Sequence, residues 1–143
     1  MQYALEATKP GGAVVGVDRH GLPQPIPGAR FIEGDAFNLP DEEILGGLAA
    51  FDVVLSDMAP DTTGVRAMDH ARSAALFLEA LSRAERLLAS GGSFVGKIFQ
   101  GPDVPDLRRR MGERFSEIRV IKPESSRSAS VEFFLCGKHF ARL

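Results

Sequence analysis

The chain has 143 residues, 44% of them hydrophobic and 25% charged, with a formal net charge of −2. That apolar content excludes a mainly disordered chain, no run approaches the roughly 20 apolar residues of a membrane helix, and the single cysteine, Cys136, excludes an intrachain disulfide framework. The charge is uneven: residues 1–71 carry 4 Lys/Arg against 11 Asp/Glu and residues 72–143 carry 13 against 8, so a basic surface is available in the C-terminal half.

Residues 2–8 read as the last turns of a helix closed by Lys9-Pro10-Gly11-Gly12, and Ala13–Val17 is the short apolar run of a buried strand ended by Asp18. A Pro- and Gly-rich connection, Gly21–Gly28, leads to a second strand, Ala29–Glu33, finishing at Gly34-Asp35. A weak helix is expected at 41–48 and a strand at Phe51–Ser56, followed by Asp57-Met58-Ala59-Pro60. Residues 69–89 form the best helix, with Ala74, Leu78, Leu81, Ala84 or Glu85, and Leu88 at helical spacing, Asp69 as N-cap and Gly91 past the end. Ser93–Phe99 is the next strand, and Leu107, Met111 and Phe115 mark a short helix with Pro105 in its first turn. Ile118–Ile121 and Val131–Cys136 are the closing strands, a candidate antiparallel pair. Alternating short strands and helices predict one α/β domain over 1–143 with a mostly parallel sheet and helices on both faces.

In such a sheet, ligands bind beyond the carboxyl ends of the strands. Three of those ends are acids: Asp18, Asp35 and Asp57. Each alone is explained by the turn-capping habit of Asp; the three together point to a nucleotide site in which the acids accept hydrogen bonds from ribose hydroxyls and an adenine amino group. Lys97 stands among Phe94, Val95, Ile98 and Phe99, where an ammonium is costly to bury unless paired, and Glu132 poses the mirrored problem in its own apolar run. Each taken singly is as readily an exposed or snorkelling strand residue; with Asp57 they predict a charged cluster. His20, His70 and His139 have no ligand-like spacing, so no metal is expected.

Ser56–Pro60, then Gly64, Asp69 and Arg72, then Gly91–Gly101, Lys122–Arg127 and Ser130-Val131-Glu132 together resemble the FtsJ (RrmJ) type ribosomal RNA ribose 2′-O-methyltransferases over nearly the whole chain. The resemblance implies a Rossmann-like fold dependent on S-adenosylmethionine and a catalytic Lys-Asp-Lys-Glu set, in which Asp57 matches the Asp, Lys97 the second Lys and Glu132 the Glu. It implies 2′-O-methylation of a ribose, a uridine, in large-subunit ribosomal RNA. Asp18, Asp35, Asp57 and Met58 are then the cofactor-binding candidates, and Arg66, Arg108, Arg109 and Arg127 the candidate RNA contacts. Lys97 would act as base or as the group that orients the hydroxyl: burial lowers a lysine's pKa and neighbouring carboxylates raise it.

The family's first Lys, its first strand and the glycine-rich cofactor loop have no counterpart in the sequence. Pro10-Gly11-Gly12 lies between a helix and a strand, the reverse of the order such a loop needs. The chain is therefore expected to be an N-terminally truncated methyltransferase domain whose Ala13–Val17 strand, the family's second, and Phe51–Ser56 strand lack their shared neighbour, and as it stands to transfer little or no methyl. A cytoplasmic monomer is expected, or a mitochondrial protein if the full-length form is eukaryotic, since Met1–Glu6 has no secretion or transit signal. The competing readings are a non-catalytic RNA-binding remnant using Arg108, Arg109, Arg110, Arg114 and Arg127, and a nicotinamide-binding domain, in which Lys97 and Glu132 would have no role.

Overall fold

Apolar runs of five to seven residues, bounded by glycine, proline and aspartate, become the strands of a computed structural model that describes residues 1–8, 10–123 and 132–143. The described residues form two compact units, Met1–Gly47 and Leu48–Leu143.

In the first unit, helix α1 (Gln2–Ala7) precedes strands β1 (Val14–Asp18) and β2 (Ala29–Glu33), which pair in parallel from Val14↔Ala29 to Asp18↔Glu33. Helix α2 (Asp41–Leu45) is shorter than the expected 41–48 because Gly46 takes a left-handed φ of 57° and ends it, its N–H bonding to the Glu42 carbonyl. The α2 end is tied down by Arg30, which donates to the carbonyls of Glu43 and Ile44.

The second unit is a four-stranded sheet of order β3-β4-β6-β5, built from β3 (Phe51–Ser56), β4 (Leu88–Phe99), β5 (Phe115–Ile121) and β6 (Glu132–Phe140). Strand β3 runs parallel to β4, whereas β6 is antiparallel to both β4 and β5. The first sheet is parallel and the second mixed, not mostly parallel: the closing strands β5 and β6 form the expected antiparallel pair, and β6 is antiparallel to β4 as well. Among the described residues β1 pairs only with β2, and β3 only with β4.

Helix α3 (Arg66–Leu87) starts three residues before the expected 69 and stops two before 89, because Leu88 turns directly into β4. Asp69 is therefore not its N-cap. It sits one turn in, 8% exposed, and accepts hydrogen bonds from the backbone N–H and the hydroxyl of Thr63, which hold its carboxyl below the usual range and pin the preceding loop. The buried stripe is Ala74, Phe77, Ala80, Leu81, Ala84 and Leu87; Leu78, expected in it, faces outward. Helix α4 (Val104–Gly112) buries Leu107 and Met111, while Phe115 opens β5 instead of extending the helix.

Along β4 the residues alternate, with Gly92, Phe94, Gly96 and Ile98 buried and Ser93, Val95 and Lys97 half-buried. Phe77 of α3 lies against the first set: a Cβ on Gly96 would come within 2.7 Å of its ring, so only glycine lets the helix approach here. Gly137, register partner of Phe94, similarly abuts Met111 of α4, so both helices of this unit cover the same face. The opposite face holds Lys97 and leaves Val53 and Leu55 of β3 exposed.

Candidate active site

Strand pairing decides where the charges of the second unit meet. Ser56 is the register partner of Gly96, so Asp57 leaves β3 beside Lys97. Lys97 is opposite Phe134 on β6, and Glu132 lies two residues before Phe134, hence on the same face. Because β6 runs antiparallel, its first residue lies at the end of the sheet where β3 and β4 finish. Three residues far apart in sequence thus reach one point.

The Lys97 Nζ is 2.7 Å from Asp57 Oδ1 and 3.4 Å from Glu132 Oε2, and 5.9 Å from the centre of the Phe134 ring. Its side chain is 18% exposed, against 77% for Asp57 and 42% for Glu132. The ammonium is sheltered while its carboxylates reach solvent. The hydrogen bond to Asp57 outweighs burial, with Glu132 adding to it, and raises the Lys97 pKa above its ordinary value of 10.5. Of the two influences left open by the sequence, the carboxylates win, so the resting group is an ammonium that donates hydrogen bonds. Met58 follows Asp57 and is half-buried.

Beside this cluster is a cavity of about 360 Å³. Glu132 forms part of its wall, together with Gln100 and Gly101 after β4, Val104, Pro105 and Arg108 of α4, and Val120 and Lys122 at the end of β5. The expected arginines separate here. Arg108 lines the cavity; Arg109 is absent from the lining and is paired with Asp106 at 3.0 Å; Arg66 is exposed at the start of α3; Arg127 lies outside the described residues. Arg110 is held by both oxygens of Glu85 at 2.8 and 2.9 Å, and Arg114 donates to the Ala141 carbonyl over the Phe140 ring, so both serve the fold. Phe134 was not singled out from the sequence, and Lys122 entered only as the first residue of the Lys122–Arg127 stretch. The signals were present: a lysine at the very end of an apolar strand, and an aromatic two residues after Glu132.

In the first unit Asp18 and Asp35 both lie at the carboxyl end of the β1-β2 pair. Asp18 accepts from the His20 N–H at 2.9 Å, which holds its carboxyl below the usual range. Asp35 accepts from the Phe37 N–H at 2.9 Å and from Arg19 at 3.1 Å. The two acids are thus turn-capping residues and a pair of anionic acceptors at one strand edge.

The α/β fold is that of the Rossmann-like methyltransferases. The FtsJ-like methyltransferase description matches residues 1–140, and the chain belongs to that family. It is 46% identical over 137 residues to the protein named ribosomal RNA large subunit methyltransferase E in Nitratidesulfovibrio vulgaris strain DP4, covering 93% of this chain and 67% of that one. The protein of the same name from Sorangium cellulosum is 44% identical over 136 residues, covering 94% and 64%. The chain spans about two thirds of the length of these relatives. Among solved structures, a Plasmodium falciparum protein described as a ribosomal RNA methyltransferase superposes with a TM-score of 0.78 at 26% identity, covering 91% of this chain and 73% of that one.

Proposed function

We propose that the protein methylates a ribose 2′-hydroxyl, that of a uridine, in large-subunit ribosomal RNA, using S-adenosylmethionine and working in the cytoplasm. The observation that carries this reading is the Lys97 ammonium bridging Asp57 and Glu132 at the strand ends. The names of the relatives, both large-subunit ribosomal RNA methyltransferases, support the substrate class.

Within the first unit, Asp18 and Asp35 offer carboxylate oxygens of the kind that ribose hydroxyls and an adenine amino group need. When bound, adenosylmethionine supplies a methyl group on a sulfonium whose departure needs no proton. The protein's task is alignment. Lys97, held as an ammonium, donates a hydrogen bond to the 2′-oxygen and fixes the direction of its remaining lone pair. Asp57 and Glu132 hold the ammonium in place, and the hydroxyl proton leaves to a Glu132 oxygen, whose carboxylate reaches solvent.

The test is to incubate the full-length gene product with methyl-labelled adenosylmethionine and unmodified large-subunit RNA, then digest the RNA to nucleosides. Label is expected in 2′-O-methyluridine; label on a base, or none on RNA, rejects the reading. Asp18→Ala with Asp35→Ala is expected to weaken adenosylmethionine binding by more than about tenfold, since hydrogen bonds to charged groups are worth about 1.5–3 kcal/mol each. Calorimetry showing unchanged affinity would remove both acids from the cofactor site.

A further inference from the structure

The cavity beside Glu132 differs from the rest of its surroundings in how its cations are used. On α4 and β5, Arg109, Arg110 and Arg119 are each committed to a carboxylate, of Asp106, Glu85 and Glu117 respectively. Arg108 and Lys122 make no ion pair among the described residues, and both line the cavity. They reach it from different elements, one from the first turns of α4 and one from the end of β5. Between them the wall is apolar, with Val104 and Pro105 on one side and Val120, half exposed, on the other. Gln100 contributes an amide that both donates and accepts hydrogen bonds.

Two cations without an ion pair among the described residues, around an apolar shelf, match a phosphodiester and the base attached to it: the charges neutralise the phosphate, and the shelf takes the flat face of a base. A volume of about 360 Å³ is at the small end for ligand sites, room for one nucleotide and not for a folded helix. Glu132 fixes where that nucleotide stands. Glu132 lines the cavity, and its carboxylate, at 3.4 Å from the Nζ, belongs to the Lys97 cluster on the other face of the sheet, while Lys97 and Asp57 are not part of the lining. The occupant is therefore one step removed from the reacting hydroxyl.

Resting on the methyltransferase reading above, we infer that this cavity is a substrate subsite for the nucleotide adjoining the methylated one, its phosphate held by Arg108 and Lys122 and its base laid on Val104, Pro105 and Val120. The subsite accepts a single-stranded, splayed nucleotide, since a paired base would not leave its partner to enter. It sets the register of the RNA so that the neighbouring ribose falls on Lys97.

The experiment is anisotropy of a short fluorescein-labelled single-stranded oligouridylate with the full-length protein at several salt concentrations. The double variant Arg108→Gln, Lys122→Gln is expected to bind at least about tenfold more weakly, with a log–log salt slope shallower by about 0.7, the value for one phosphate of a single strand. Arg109→Gln removes one positive charge, half that of the double variant, from the neighbouring helix position outside the cavity, and is expected to change affinity by less than about twofold, as for a solvated, screened charge. Both substituted positions of the double variant are exposed, so its fold is expected to be retained, and its circular dichroism and melting curve check this. If the double variant binds as tightly as the unsubstituted protein, or no more weakly than Arg109→Gln, the subsite is discarded; the methyltransferase reading survives if that protein still labels ribosomal RNA. If the unsubstituted protein neither labels RNA nor binds the oligonucleotide, both fall together.

Discussion

Replacing Lys97 by alanine is expected to abolish methyl transfer, with a fall on the order of 10²–10⁴-fold in kcat, while adenosylmethionine affinity stays nearly unchanged. The argument is geometric. Lys97 Nζ is held at 2.7 Å from Asp57 and 3.4 Å from Glu132 on the face away from α3 and α4, and its proposed target is the incoming hydroxyl, not the cofactor. Its removal takes away alignment of the reacting oxygen and leaves the acids proposed to hold the cofactor. The fold should tolerate the change, because Asp57 and Glu132 are substantially exposed and an ion pair to exposed carboxylates is worth at most about 1 kcal/mol. Lys97→Arg is expected to fail as well: a planar guanidinium is larger than the ammonium that fits between two carboxylates, and its fork directs its donors differently. Turnover and cofactor affinity measured separately decide the matter. An active Lys97→Ala protein, or one losing affinity in step with activity, gives the residue a different role.

The raised pKa of Lys97 sharpens this expectation. Were the neutral amine the working form, its population would grow tenfold per pH unit below its pKa, and the rate with it. With the ammonium as the working form, the rate is not expected to follow that slope between pH 7 and 9. The sign for stability agrees: a lysine whose folded pKa lies above 10.5 contributes its full stabilisation below 10.5 and loses it as pH rises through the higher folded value. Activity and the ion pair therefore share the same pH limit. A rate that climbs tenfold per unit across pH 7 to 9 would make Lys97 the base.

What the sequence revealed of this site was residue type, and what it withheld was register. Lys97 and Glu132 were conspicuous because a charge inside an apolar strand needs a partner, and strand ends are where α/β sheets place ligands. That the two lie on one face follows from the pairing Lys97↔Phe134, which no local pattern contains. Helix and strand positions were legible from spacing, but the edges moved wherever a side chain acted across the chain. Asp69 looked like a cap and instead holds Thr63; Phe115 looked like a helix residue and instead packs its ring on Phe140, 5.2 Å away, from a strand. The mostly parallel sheet was a bias toward alternating elements; the closing strands form the antiparallel pair their sequence offered, and β6 extends that direction to β4. Arginines were the least legible. Four of those flagged on or near α4 look equivalent in sequence, yet Arg109, Arg110 and Arg114 are held by Asp106, Glu85 and Ala141, and only Arg108 faces the cavity.

The last expectation concerns what keeps Lys97 in position. Phe77 of α3 is 2% exposed and meets Phe94 of β4 edge-on, with ring centres 5.5 Å apart, directly beneath the strand that carries Lys97. Phe77→Ala is expected to destabilise the second unit by about 3–5 kcal/mol, since the removed ring leaves a cavity between a helix and a strand that cannot close it without shifting. Against a typical domain stability of about 5–15 kcal/mol this is a large fraction, and the denaturation midpoint should fall with little change in slope. Phe77→Leu refills most of the space and should lose distinctly less. Combined with Phe94→Ala, the losses should not add, because the two rings share one contact worth about 0.5–1.5 kcal/mol beyond their burial. Gly96, one residue before Lys97, is kept bare by this ring, so the same cavity loosens the backbone that aims the ammonium. Under conditions where the Phe77→Leu protein remains folded, kcat is expected to drop more than adenosylmethionine affinity. A Phe77→Ala loss below about 1 kcal/mol would mean that α3 does not anchor β4 through this ring.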